Sequence, residues 1–211
     1  MKAGHTAKTI KAVAFDCDGV MFDSSNANRA YYNHILTHFG LPEITPQQFA
    51  YVHMHTVDEA IVYLFEDPRM LSEAQAFRRE MSYMPFIRHM EIEPFLVDVL
   101  ARLRPQYKTA IATNRTDTMA RVLEDHNLTG LFDKVITACD VRFPKPHPDQ
   151  LLTLLSHFSL APGEMIFIGD SELDELAAQQ AQVPFFAYAN PDLKADVHIQ
   201  NLGQILDFLN I

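Results

Sequence analysis

Short apolar runs recur along the chain at Ala12–Phe15, Thr109–Ala112, Lys134–Thr137, Met165–Ile168 and Val183–Tyr188. Each is too short for a helix and is bounded by polar or turn residues, so each reads as a strand buried on both faces. Between most of them the apolar positions change to helical spacing, over 117–127, 147–158 and 171–181, and a last helix is predicted over 201–209. Strand and helix in alternation predict βα units, hence an α/β protein with a mainly parallel sheet covered on both faces.

One interval departs from this rhythm. From Asp23 to about Glu91 the pattern is helical, over roughly 26–39, 46–52, 56–66 and 72–90, with no convincing strand. That is far too long for a simple crossover and reads as an inserted helical unit. Gly40, Leu41 and Pro42 end its first helix, Pro68 breaks its middle, and Ile92–Pro94 forms the return hinge. The predicted organisation is a first core strand in 1–20, a helical cap in 21–92 and the rest of the core in 93–211. No internal repeat or low-complexity segment interrupts it.

Composition narrows the partners. The 211 residues are 48% apolar, enough for one sizeable core with an added subdomain. A formal charge of −10, from 27 acidic and 17 basic residues, disfavours nucleic acid or an anionic membrane, either of which would be approached against a repulsive field. Cys17 and Cys139 have neither metal-site spacing nor a disulfide framework and read as free thiols of a reducing compartment. With no signal-like apolar segment and no run near the ~20 residues of a membrane span, the expectation is a cytoplasmic protein, monomeric or weakly dimeric.

Chemistry gathers at the ends of the strands. In open α/β sheets the ligand crevice lies beyond the carboxyl ends of the strands. There the first strand delivers Asp16 and Asp18, in AVAFDCDGV, and the second delivers Thr113 and Asn114. PKPHP after the third brings Lys145, and FIGDSELD after the fourth brings Asp170 and Asp174. Carboxylates, one hydroxyl and one lysine are thus expected on one edge of the sheet.

DCDGV, ATNRT, KPHP and GDSELD, in that order and with the helical insertion after the first, resemble the haloacid dehalogenase superfamily. The branch is that of the phosphoglycolate phosphatases and β-phosphoglucomutases with a helical cap. The resemblance covers most of the chain and implies a Rossmann-like core. It also implies a Mg²⁺-dependent phosphatase acting on a small phosphorylated metabolite.

In that reading Asp16 attacks phosphorus to give an aspartyl-phosphate, and Asp18 protonates the leaving oxygen and then activates water. The Asp16 carboxylate, the Asp18 backbone carbonyl and the Asp170 carboxylate hold the metal, with Asp174 as a further ligand. Lys145 neutralises the phosphate and Asp16, the Thr113 hydroxyl and Asn114 bind phosphate, and Gly19 lets the backbone come close. A phosphomutase would use the same core and differ in the cap, and a non-catalytic phosphate-binding module is a third reading. The dehalogenase branch is disfavoured because it generally lacks the second aspartate.

Several residues also have plainer readings. Ser171 and Asp174 approximate a capping box, so Asp174 serves the helix start or the metal with equal weight. Cys17, between the two aspartates, reads as a small buried hydrophobe. His53 and His55, at i and i+2 on a helix, point to different sides and make a poor joint metal site. Val20 stands where many members of the superfamily have threonine. No cap signature names a substrate; Arg29, His53, His55, Arg88 and His89 are the polar cap residues expected to be able to face the site.

Overall fold

The computed structural model describes residues 9–104 and 106–211. Its core is a six-stranded sheet in the order β5-β4-β1-β6-β7-β8, formed by β1 (Ala12–Phe15), β4 (Lys108–Ala112), β5 (Lys134–Ile136), β6 (Met165–Gly169), β7 (Phe185–Tyr188) and β8 (Val197–Ile199). Every pairing in it is parallel. The first strand lies centrally, with β4 on one side and β6 on the other, which is why its apolar run is continuous: AVAF is buried at all four positions.

On the central strands β1 and β4 the two faces of the sheet differ in side-chain size. Val13, Phe15, Ile111, Ile166 and Ile168 point to a layer made by α6 (Leu96–Leu103), α7 (Met119–Asp125) and α10 (Gln204–Leu209). The alternate positions Ala12, Ala14, Ala110 and Ala112 face α8 (Asp149–Phe158) and α9 (Glu172–Ala181). Period-two alternation separates the two sets, and the small alanines allow α8 and α9 to lie close on their face.

Two core elements were not anticipated. The first is α6, whose buried Leu96, Val99, Leu100 and Leu103 follow i, i+3, i+4, i+7 spacing within only eight residues. The second is β8, three residues with an exposed histidine at their centre, too short and too mixed to stand out as a strand.

The insertion leaves and re-enters the core through a two-stranded antiparallel ribbon, β2 (Phe22–Asp23) paired with β3 (Glu91–Ile92). Buried Glu93 pins the return: its N–H donates to Met21 O (2.9 Å), and its carboxylate accepts the N–H groups of Phe95 (2.7 Å) and Leu202 (3.1 Å).

Between the ribbon strands lie α1 (Ser25–His38), α2 (Pro46–Met54), α3 (Val57–Leu64), α4 (Pro68–Glu80) and α5 (Met84–Ile87). They share a core of their own, including Tyr31, Tyr32, Ile35, Val52, Ile61 and Ala74. Capping boxes start α2 and α3, where Thr45 pairs with Gln48 and Thr56 with Glu59. The single helix expected over 72–90 is two helices, broken at Met81–Tyr83. Pro68 opens α4 behind the Asp67 cap, because its fixed φ and missing N–H suit a first turn. Among the described residues no helix is long and apolar enough to cross a membrane.

Candidate active site

The carboxyl ends of β1, β4 and β6 open into a cavity of about 370 Å³ roofed by the helical insertion. Asp16, Asp18, Thr113, Asn114, Asp170 and Ser171 from the core line it, as do His53, Tyr83, Arg78 and Arg79 from the insertion.

Asp16 directly extends β1, its N–H bonded to Ile168 O (2.9 Å). The chain then turns tightly, with the Met21 N–H on Cys17 O (3.0 Å) and Gly19 at φ +81°. Only glycine serves at position 19. A Cβ there would lie 2.1 Å from Asp170 Oδ2, so its absence is what lets the β6 carboxylate press against the β1 loop.

Lys145 is the hub of the core side. Its ammonium, 3% exposed, lies 2.8 Å from Asp16 Oδ1 and 2.6 Å from Asp174 Oδ1. Burial works against this charge, but Asp16 and Asp174 outweigh it and raise Lys145 above its ordinary value. The backbone of Lys145 is fixed by Asn114, whose Oδ1 accepts the Lys145 N–H (3.0 Å) and whose amide donates to Lys145 O (2.9 Å). The same amide donates to Met54 O of the insertion (3.2 Å). The Asn114 amide thus gives its side-chain protons to two carbonyls and braces the Lys145 backbone.

Asp174 realises its structural reading in full. Its Oδ2 accepts the Ser171 N–H (3.1 Å) and hydroxyl (2.5 Å), while Ser171 Oγ accepts the Asp174 N–H (3.3 Å), which completes a capping box. Its other oxygen holds Lys145. Thr113 is buried at the end of β4; its Oγ1 accepts the Arg115 N–H (3.1 Å), and its hydroxyl proton remains for an acceptor in the cavity.

Burial pushes the Asp16 carboxyl up to about 7 against the pull of Lys145, with Asp174 and Asp18 adding repulsion. Asp170 is raised well above the usual carboxylate range by burial and then by Asp174 and Asp16. Oxygens of Asp16, Asp170 and Asp174 lie within 4.8 Å of one another. Asp16 Oδ1, although ion-paired, has no partner in hydrogen-bond geometry. One ammonium, that of Lys145, serves these three crowded carboxylates, and an all-oxygen donor set suits a hard divalent cation.

Asp18 is in the opposite state. Arg115 grips it bidentately, Nε on Oδ2 and Nη2 on Oδ1, both at 2.7 Å. Burial alone would raise this carboxyl, but Arg115 overcomes it and holds Asp18 below the usual range. The guanidinium also donates to the Tyr83 hydroxyl (3.2 Å), which donates to Asn28 Oδ1 (2.7 Å), and Asn28 Nδ2 lies 3.0 Å from His53 Nδ1. A polar chain therefore runs from the second aspartate into the insertion. Sequence reasoning missed Arg115, although it sits inside the ATNRT stretch at a strand end; a cation beside strand-end carboxylates was the available signal.

Of the expected cap residues, His53 and His55 line the cavity, whereas Arg29, Arg88 and His89 do not. Arg29 lies over the Phe49 ring (4.2 Å), and Arg88 and His89 lie side by side on the surface. Neither cavity histidine belongs to a metal-type cluster among the described residues. Burial raises the Cys17 thiol well above its ordinary value, in keeping with an inert core residue.

The haloacid dehalogenase-like hydrolase model matches residues 13–188. The chain is 30% identical over 190 residues to a phosphoglycolate phosphatase of Aliivibrio fischeri, covering 84% of this chain and 83% of that one. It is 29% identical over 189 residues to the pyrophosphatase PpaX of Bacillus velezensis, covering 83% and 82%. Among solved structures, it is 37% identical to a haloacid dehalogenase superfamily hydrolase of subfamily IA from Geobacter sulfurreducens, with TM-score 0.79 over 95% of this chain and 97% of that one.

Proposed function

Since the chain belongs to the haloacid dehalogenase-like hydrolase family, we propose that it is a Mg²⁺-dependent phosphatase of small phosphate monoesters working through Asp16. The observation that carries this is the approach of Lys145 and Asp170 to Asp16 at the mouth of β1, where Gly19 leaves the room for it.

The Asp16 carboxylate attacks phosphorus, the bond to the leaving oxygen breaks, and Asp18 gives that oxygen a proton. Asp18 then takes a proton from water, which attacks phosphorus and releases phosphate and the Asp16 carboxylate. Lys145 and the Thr113 hydroxyl offset charge on the phosphoryl oxygens. Donation requires a protonated Asp18, so Arg115 must leave it as the substrate enters; the incoming phosphoryl oxygens offer the guanidinium a new bidentate partner. The Asp16 and Asp170 carboxylates and the Asp18 carbonyl would hold Mg²⁺, with Asp174 fixing Lys145 beside them. When bound, the ion supplies positive charge that brings the carboxylate and the phosphate together.

The test is a screen of phosphorylated metabolites with Mg²⁺, following inorganic phosphate and, separately, isomerised sugar phosphate. Phosphate release that EDTA abolishes and Asp16→Asn eliminates is the expected outcome. Isomerisation without phosphate release would make the protein a mutase, and unchanged turnover in Asp16→Asn would remove the covalent mechanism.

A further inference from the structure

The polar chain that leaves Asp18 has a direction. Arg115 can only donate, so the Tyr83 hydroxyl accepts from its Nη2 (3.2 Å) and sends its own proton on to Asn28 Oδ1 (2.7 Å). That settles which way round the Asn28 amide lies. With its oxygen taken by Tyr83, its Nδ2 is the end that meets His53 Nδ1, at 3.0 Å. An NH₂ group offers only protons, so His53 Nδ1 is bare and accepts one. The ring proton is then on Nε2.

Protonation of both nitrogens would set two donors face to face across the same contact. A histidine in the last turn of a helix, as His53 is in α2, ordinarily gains from carrying charge. Here burial outweighs Asp18 and holds the ring below its ordinary value, with Arg115 and Arg29 repelling a charge and Asp23 favouring one. Phe49 stacks on the ring, centroids 5.0 Å apart, and fixes its plane. Nε2 has no hydrogen-bond partner among the described residues, yet it is not sealed off. The void beside the ring is the cavity that Asp18 also lines. Packing against Phe49 would need only a flat ring of this size; it does not account for three side chains that settle where the ring proton sits.

We infer that His53 is a substrate-binding residue of the insertion, presenting a neutral Nε2–H donor to an acceptor oxygen, hydroxyl or carbonyl, on the leaving group of the phosphate ester. This rests on the phosphatase reading and concerns the half of the substrate that Asp16 does not touch. Asp18 gives its proton to the leaving oxygen, and its charge reaches the His53 ring. A leaving group served by Asp18 therefore comes up against that ring. Because the donor is neutral, it selects for an acceptor and not for charge. Tyr83 and Asn28 act through His53 as positioning residues.

Two readouts test this, and the first needs no turnover. Two-bond ¹H–¹⁵N correlation on the intact protein near neutral pH should show His53 with a bare Nδ1 and a protonated Nε2. A ring protonated on Nδ1, or on both nitrogens, would overturn the fixed donor. The second compares kcat/KM for hydroxyethyl phosphate and ethyl phosphate, which differ by one acceptor. Their ratio should fall roughly 3–10-fold in His53→Leu, the worth of one hydrogen bond. His53→Gln, whose amide N–H reaches toward the Nε2 position, should keep part of the ratio; His53→Asn, whose amide stops near the Nδ1 position, should not. A ratio within one preparation is insensitive to how much of a variant is folded, and the His53→Leu ratio measures the intrinsic difference between the leaving groups. Equal ratios in the intact protein and in His53→Leu would overturn the role of His53 while leaving the phosphatase intact. Turnover of other phosphate monoesters without turnover of hydroxyethyl phosphate would do the same. Hydrolysis of neither ester, nor of any other small phosphate monoester, would overturn the phosphatase reading and the role of His53 with it.

Discussion

Lys145 and Arg115 each hold one aspartate of the DCD pair, but they are tethered in different ways. Around Lys145 every partner belongs to the core: Asp16 follows β1, Asn114 follows β4, and Asp174 lies in α9. Around Arg115 the partners straddle two bodies, with Asp18 on the core side and Tyr83, continued by Asn28 and His53, on the insertion. The first arrangement touches the insertion through the Asn114 bond to Met54 O, while its ion pairs lie wholly within the core. The second changes whenever the insertion shifts, so chemistry that must stay constant is built on lysine and chemistry that must respond to a substrate is built on arginine.

The largest effect should come from breaking the one-body side. Lys145→Met leaves Asp16 and Asp174 buried without a cation, a loss on the order of 3–5 kcal/mol. Thermal unfolding should fall by about 10 °C, and turnover should be lost even where the protein stays folded.

Arg115→Met should cost less, on the order of 3 kcal/mol, because Asp18 reaches solvent at 14% of its side chain. Its pH dependence is the sharper test. In the intact protein Asp18 is held below its ordinary 3.8, so its contribution to stability is present above that pH and is lost as the pH falls through the depressed value. Without Arg115, burial raises the same carboxyl, and stability is lost above pH 3.8 instead. The gap between the two melting temperatures should therefore be widest near neutrality and close on acidification. A gap independent of pH would show that the pair does not govern Asp18.

Tyr83→Phe is the mildest cut. It removes the hydroxyl between Arg115 and Asn28 but leaves a ring under the guanidinium, at 5.0 Å from its centroid in the intact protein. A loss of about 1 kcal/mol is expected, together with a larger change in KM than in kcat for the best substrate. Equal effects of Tyr83→Phe and Arg115→Met on stability would mean that the chain acts as one unit.

The two regions also differ in how far the sequence announces them. Asp16 and Asp170 directly follow buried strands, and a continuous apolar run that ends in a charge is visible without a structure, while Lys145 stands in the PKPHP stretch beyond β5. Arg115 lay in the same kind of position and was passed over, because its partner depends on how the β1 loop turns. Arg78 and Tyr83 left no such trace. They flank the break at Met81–Tyr83, whereas the pattern over 72–90 reads as one unbroken helix. Arg29 shows the converse: a cation in a plausible place whose alternative partner, the Phe49 ring, is set by the packing of the insertion.

The ribbon of Phe22–Asp23 with Glu91–Ile92 has an evolutionary reading as well. Departure and return of the insertion are neighbours in space, so whatever lies between them closes a loop whose ends are already joined. Lengthening such a loop costs little, since each doubling adds only about 0.6 kcal/mol. Helices can be gained, lost or exchanged within the insertion so long as Ala27, Ile87 and Met90, which pack into the core beside β1, are kept. A lineage can thus change what it recognises by replacing one segment of its gene, while the catalytic half is inherited unaltered.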